Sequence, residues 1–332
     1  MPVRRYFGRK LITYGLTFFV AVTINWMIPR FMPGDPVQSM IARAGLRAGA
    51  AEAMSGYYLQ AFGLDLPLWQ QYLNFWAAVL RGDLGVSIWL FPQPVTSILA
   101  NAIPYSLALL IPAILLSWWA GNRFGAFAAR NRLLDNTALP LGYILRATPE
   151  MWLAILLAWL LGIQLDIFPI AGAYSFALQP AWSWTFVRSL FMHWFLPFAS
   201  LFIVSFGGWA IGMRNLIIYE FESDYSRYLQ ALGAPQRLIR RYAFRNAVLP
   251  QITGLALQLG VVVGGALVTE IVFAYPGLGY LVFQAIQNQD YFLLQGAFLF
   301  IVVGVLLANF LIDLAYVVVD PRTRLGMMGG GT

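Results

Sequence analysis

Apolar residues run along this chain in long blocks, without the alternation of a half-buried strand or the narrow stripe of a surface helix. A helix that crosses a bilayer needs about 20 mostly apolar residues, because hydrocarbon offers its backbone no other hydrogen-bond partner. Six blocks reach that length: Leu11 to Pro29, about Ile103 to Asn122, about Asn136 to Leu165, about Ser189 to Met213, about Asn246 to Phe273 and about Tyr291 to Val319. The pattern predicts an all-α membrane protein with six transmembrane helices. The first block is longer than a signal-peptide core and no small-residue cleavage site follows it, so it reads as an uncleaved helix. An even number of crossings puts both termini on one side.

The polar stretches complete the layout. Residues 1–10 precede the first helix (11–30), residues 31–102 form the longest extramembrane segment, residues 103–319 hold helices two to six, and residues 320–332 form a tail. Within 31–102, the spacing of Leu68, Tyr72, Phe75 and Val79 predicts a helix over Leu66 to Leu80, and the wealth of Trp, Tyr, Pro and Gly predicts a folded segment. Basic residues orient the whole, since cytoplasmic loops are enriched in them. Fifteen of the 21 fall in the N-terminus, the turn holding Arg123, Arg130 and Arg132, the stretch from Arg214 to Arg245, and the tail holding Arg322 and Arg324. That face, with both termini, is predicted to be cytoplasmic.

Composition agrees and removes several chemistries. Hydrophobic residues are 60% of the chain and charged ones 11%, against about a quarter charged in soluble domains. The net charge of +7 follows from topology, so nucleic acid is not an expected partner. The chain has no cysteine, which excludes thiolate metal sites, disulfides and cysteine nucleophiles. Its one lysine, Lys10, follows Arg9 and fits no P-loop, and its one histidine, His193, excludes HExxH and multi-histidine metal sites. No metal and no cofactor is expected on this chain, and any energy-yielding chemistry belongs to a partner.

The most informative polar stretch spans about 220–246. Ser223 or Asp224 can cap a helix whose apolar positions Tyr225, Tyr228, Leu229 and Leu232 fall at helical spacing. Gly233-Ala234-Pro235 ends it and starts another, which places Arg237, Arg240, Arg241 and Arg245 on one side and Leu238, Ile239 and Tyr242 on another. Two readings stand: an interfacial helix pair whose arginines meet anionic membrane lipid, or a knob on which a cytoplasmic protein docks.

This stretch resembles the EAA loop of ABC importer permeases, in the branch typified by dipeptide and oligopeptide permease B subunits. It matches at Asp224, Tyr225, Arg227, Ala231, Gly233, Arg245, Asn246, Ala247 and Pro250, and departs at Leu229, Leu232 and Tyr242. Further resemblances follow in family order: Pro33-Gly34-Asp35-Pro36, Phe62-Gly63-Leu64-Asp65, Arg81-Gly82-Asp83-Leu84-Gly85, Phe168-Pro169-Ile170-Ala171-Gly172, Glu270 with Pro276, Gly277 and Gly279, and Asp320-Pro321-Arg322. The resemblance implies the type I ABC importer permease fold, with the 31–102 segment folded outside a prokaryotic inner membrane. It implies a second homologous permease subunit, two cytoplasmic ABC ATPase subunits or domains that bind the ATP and Mg, and an extracytoplasmic solute-binding protein. Arg237, Arg240 and Arg241 would then meet an acidic rim on the ATPase. The solute class stays open between oligopeptide and oligosaccharide: the twelve Trp and sixteen Tyr would suit sugar stacking, but aromatic belts at the two membrane interfaces account for most of them, and Trp69, Trp76 and Trp89 are left unassigned.

Ionisable groups inside spans are costly, by about 2.5–3.5 kcal/mol on insertion scales, so each needs a reason. Arg146 and Glu150, four apart, are expected to neutralise each other on one helix turn. Glu270 is expected to cap the Pro276-Gly277 turn or hold an outer gate, and Asp313 to pair with a cytoplasmic-side arginine. The prolines at 112, 140, 149, 197 and 250 are candidate kinks. Gly254, Gly260, Gly264 and Gly265 form a small-residue face that allows close helix approach, at a subunit interface or beside the path, with the interface favoured. A secondary transporter would show an inverted repeat and an intramembrane enzyme a cluster of acid, base or metal ligands. Neither is present in the sequence.

Overall fold

The structure, a computed structural model, describes residues 3–44, 48–261 and 266–319. In chain order the helices are α1 (Val3–Phe31), α2 (Pro36–Ala44), α3 (Ala48–Ala61), α4 (Leu68–Arg81), α5 (Val95–Ala128), α6 (Arg132–Ala147) and α7 (Glu150–Leu157), which runs on into a π-helical segment (Ala158–Gln164). Then come α8 (Trp184–Phe221), α9 (Asp224–Ala231), α10 (Gln236–Val261), α11 (Leu267–Val272), α12 (Leu278–Gln287) and α13 (Tyr291–Val319). No strand occurs among the described residues.

Among the described residues, four stretches are long and apolar enough to cross a membrane: Lys10–Phe31, Val95–Ala128, Trp184–Phe221 and Tyr291–Phe310. The third expected span is broken. Between α6 and α7 the axis turns by 103°, because Thr148 precedes a proline, is forced out of the helical region (ψ 126°), and hands over to Pro149 as the cap of α7. The pair makes a fifth crossing if counted as one span. Of the fifth expected span, Asn246 to Phe273, only α10 and α11 are described; Gly264 and Gly265 lie outside the described residues, as do Arg322, Arg324 and Asp320-Pro321-Arg322. Prolines 112, 140, 197 and 250 sit inside α5, α6, α8 and α10 without ending them.

The chain divides into two compact units. One runs up to Pro104 and resumes at Gly277. Its core is Val95, Ile98, Leu99 and Ala102 of α5, packed with Leu278, Leu281, Val282 and Ala285 of α12 and Leu293, Leu294 and Ala297 of α13. This unit also holds α2 to α4, and α4 bears out the helix read from its apolar spacing. α5 begins at Val95, about two turns before Ile103, where the second apolar block was read. Asp35 caps α2, accepting the amides of Val37 at 2.8 Å and Gln38 at 3.2 Å. Trp76 stacks on Phe19 at 5.4 Å and Trp89 packs against the core, so these two rings serve packing; Trp69 stays 66% exposed.

The other unit runs from Tyr105 to Pro276. Here α8 is continuous over 38 residues, about 57 Å at 1.5 Å per residue. Along it Trp194, Phe198, Phe202 and Phe206 stack one turn apart at 4.3, 5.6 and 5.8 Å. Close approach is glycine-dependent: a Cβ on Gly125 would stand 2.1 Å from the Ala210 carbonyl oxygen, and one on Gly121 would stand 2.6 Å from Trp209 Cβ. This is the small-xxx-small packing of membrane helices. Gly125→Val is therefore expected to exceed the ordinary overpacking cost of about 1–3 kcal/mol and to lower the unfolding midpoint in detergent. Gly56→Ala, whose Cβ meets nothing within 4 Å, should leave that midpoint unchanged. Gly254 of α10 packs on α8 in the same way, since a Cβ there would stand 3.1 Å from the Trp209 ring.

Candidate functional site

The arginine-rich stretch around 220–246 is built by three helices. The first, α8, continues past the end of its apolar block, through Arg214 to Phe221. Buried Met213 and Ile217 keep one face of this extension packed on Ala126, Ala243 and Ala247. The return helix, α10, is likewise unbroken from the arginine-rich turn into the apolar stretch, so the separate second loop helix expected from sequence is the first part of α10. Ile239, Ala243 and Ala247, at four-residue spacing, are its buried stripe.

Between them α9 projects. Ser223 occupies its N-cap position but does not cap it: the hydroxyl donates back to the Glu220 carbonyl at 2.6 Å. The C-terminus closes as a Schellman motif, the Gly233 amide donating to the Gln230 carbonyl and the Ala234 amide to that of Leu229, both at 3.0 Å. Gly233 takes φ +71° there, the left-handed conformation that glycine adopts without penalty.

One carboxylate ties the three helices together. Glu220 Oε2 accepts the Tyr225 hydroxyl at 2.7 Å and the Asn246 amide at 3.2 Å. Burial and then this bond to Glu220 raise the Tyr225 phenol above its ordinary pKa, so it stays a donor. The opposite side of α9 is open: Asp224, Arg227, Tyr228, Ala231, Leu232 and Gly233 are all exposed. Two of these are large apolar groups, Tyr228 at 66% and Leu232 at 64%. Arg237, Arg240, Arg241 and Arg245 are exposed as well, and the first three line a groove with Arg123 and Arg130.

The remaining expected residues fall elsewhere. Arg146 and Glu150 do not pair. The bend at Thr148-Pro149 removes the common helix turn that their spacing assumed; Arg146 is exposed and Glu150 accepts the Thr269 hydroxyl. Glu270 is fully buried, accepts the Ser106 hydroxyl at 2.6 Å, and through its backbone carbonyl receives the Tyr275 amide at 2.8 Å. Pro276 leads to Gly277, the N-cap of α12, with Gly279 in its first turn. Asp313 lies on α13, its side chain outside the described residues.

Three groups escaped the sequence reading. Glu220 lay just inside the loop, with no motif to mark it. Asp135 and Arg214 form a two-pronged ion pair at 2.6 and 2.8 Å that joins α6 to α8; opposite charges at the same end of two apolar blocks were the available signal. Asp290, fully buried, accepts the Ser87 hydroxyl and the amides of Trp89 and Leu293, each amide at 3.0 Å. It sits in the polar run Asn288-Gln289-Asp290 between two apolar helices.

Residues 121–325 match the family model described as binding-protein-dependent transport system inner membrane component. The dipeptide transport system permease protein DppB of Escherichia coli (strain K12) is 30% identical over 328 residues, covering 93% of this chain and 95% of that protein. The probable D,D-dipeptide transport system permease protein DdpB of the same strain is 33% identical over 339 residues, covering 96% of each. The dipeptide transport system permease protein DppB of Bacillus subtilis (strain 168) is 29% identical over 328 residues, covering 98% of this chain and 99% of that protein.

Proposed function

We propose, from the premise that this chain belongs to the family of binding-protein-dependent transport system inner membrane components, that it forms one half of the transmembrane path of an ATP-driven importer for short peptides. Family membership makes it a multi-pass inner-membrane protein and a non-catalytic permease component of an ABC transport system. Beyond that, the proposed assembly pairs it with a second homologous permease subunit. Two cytoplasmic ABC ATPase subunits or domains would carry ATP and Mg, and an extracytoplasmic binding protein would deliver the solute. Six crossings, with both termini cytoplasmic, accommodate the charge asymmetry. A peptide solute is favoured over an oligosaccharide by the printed names of the relatives, which are dipeptide and D,D-dipeptide permeases.

The observation that carries the reading is the Glu220 tie, which holds α9 as a projecting knob with Tyr228 and Leu232 free at its tip. Such a knob suits a groove on an ATPase, with Arg227 beside it for acidic contacts. Because α8 and α10 leave the knob as unbroken helices, a push on α9 reaches the membrane-embedded residues without loss in a flexible loop. ATP-driven closure of the ATPases would thereby rock the helices around the solute path, opening it alternately to each side. Glu270 and the Pro276-Gly277 turn would serve the outer end of that path.

Gly233→Asp separates docking from folding. A Cβ there meets nothing within 4 Å and aspartate tolerates the left-handed region, so the chain should accumulate normally. ATPase co-purification and uptake are expected to fall at least about tenfold, equivalent to roughly 1.4 kcal/mol of docking energy; unchanged values for both would refute the docking assignment. Affinity purification of the complex in mild detergent tests the assembly. A second permease and P-loop ATPases should co-purify, and the associated binding protein should take peptides from a panel of peptides and oligosaccharides. A chain that purifies alone and still transports would contradict the reading, and an oligosaccharide-selective binding protein would change the solute.

A further inference from the structure

Five arginines outside the α9 knob converge on one groove. Arg123, near the end of α5, and Arg130, in the turn that follows, share an open concavity of about 580 Å3 with Arg237, Arg240 and Arg241 from the start of α10. Its remaining lining is Ala126, Phe127 and Phe244. No acidic side chain lines it, and among the described residues none of the five arginines has an ion pair. Like charges gathered this closely repel: burial, and then Arg240, pull the Arg130 guanidinium below its ordinary pKa. An anion with several acceptor oxygens relieves that repulsion, and the planar guanidinium fork fits phosphate in particular.

The apolar side of the groove identifies what carries the phosphate. Leu115, Trp119, Arg123 and Phe127 follow one another at four-residue steps on a single face of α5. Leu115, Trp119 and Phe127 are 41%, 55% and 56% exposed, on a helix apolar enough to cross the membrane. A stripe of exposed hydrocarbon-compatible side chains thus runs along α5 and ends at the arginines. Across the groove the Arg123 guanidinium lies 5.9 Å from the Phe244 ring centroid, so cation and apolar wall are interleaved. A soluble anion would use the arginines alone; a phospholipid uses both halves, its phosphate among the guanidiniums and its chains along the stripe.

We propose that this groove is a binding site for the head group of an anionic phospholipid whose acyl chains lie along the Leu115–Phe127 face of α5. The site assigns Arg237, Arg240 and Arg241 to lipid phosphate in place of an acidic ATPase rim, and it is independent of which solute the transporter carries.

The test is retention of spin-labelled phosphatidylglycerol, against phosphatidylcholine, by the full chain purified with its co-purifying partners. The wild type should prefer phosphatidylglycerol by about tenfold or more, as several arginines at a membrane surface would give. Arg123→Gln/Arg130→Gln should lose that preference while still eluting with its partners, Arg81→Gln on α4 should keep it, and inorganic phosphate should not displace the lipid. Equal preference in the wild type and the double variant would overturn the site. Displacement by inorganic phosphate would show a free-anion site and overturn the lipid. Loss of the ATPase partner from the double variant with lipid preference intact would show a protein interface and overturn it too.

Discussion

Glu220→Ala is expected to bring uptake close to background while the chain still accumulates in the membrane. Its carboxylate is the shared acceptor for Tyr225 of α9 and Asn246 of α10, and hydrogen bonds to a charged group are worth about 1.5–3 kcal/mol each. A helix as short as α9, Asp224–Ala231, has little stability of its own, because isolated helices below about 12–15 residues are marginal in water. It therefore depends on this anchor and on buried Ser226. Without the anchor, α9 is expected to fray, and in the proposed coupling a push from the ATPase would be dissipated before it reached α8 and α10. Hydrogen exchange should show lost amide protection across 224–231, with α8 and α10 still protected. Glu220→Gln, which keeps an acceptor oxygen but not the charge, should fall between the two. Normal uptake by Glu220→Ala would remove the tie from the mechanism.

Asp290→Ala is expected to disrupt the unit formed by residues up to Pro104 and from Gly277 onward. Asp290 is completely buried and receives the Ser87 hydroxyl together with the Trp89 and Leu293 amides, pinning the 82–94 loop to the start of α13. Ser87 in turn accepts the Leu90 amide at 2.8 Å, so the network extends into the loop. Removing the acceptor strands buried donors at about 1–3 kcal/mol each, a total on the order of 4 kcal/mol and a large part of the stability of a typical domain. Reduced accumulation is expected, with protease cleavage appearing between residues 82 and 94. Asp290→Asn should be milder, since it retains one acceptor oxygen. A fully abundant, protease-resistant Asp290→Ala protein would show that the loop is held by its apolar contacts alone.

What the sequence showed and what it concealed divide along physical lines. Apolar block length is a local property, so α1, α5, α8 and α13 were legible from it. So were the α9 knob and its glycine closure, because a capping position, helical spacing and Gly-Ala-Pro all lie within one short window. Helix ends were not legible. Past the apolar blocks, α8 and α10 continue as amphipathic helices whose buried faces, Met213 and Ile217, Ile239, Ala243 and Ala247, make sense only once the two are packed together. The Arg146 and Glu150 pairing failed for a local reason: spacing of four implies one helix turn only if no proline intervenes, and Pro149 does. The pairs that matter most, Asp135 with Arg214 and Ser87 with Asp290, are 79 and 203 residues apart. Only the tertiary fold brings their partners within reach, and no spacing rule covers that range.

The absence of cysteine makes the central claim directly measurable. A single cysteine at Ala231, exposed at the end of α9, would be the only thiol in the chain and can carry a short photo-activated cross-linker in intact membranes. A matched cysteine at Trp182, fully exposed in the segment before α8, serves as the control on the opposite loop. If α9 is the coupling knob, the Ala231→Cys probe will form an adduct with a P-loop ATPase and the Trp182→Cys probe will not. An Ala231→Cys probe that labels only lipid, or an ATPase adduct formed equally from both positions, would contradict it.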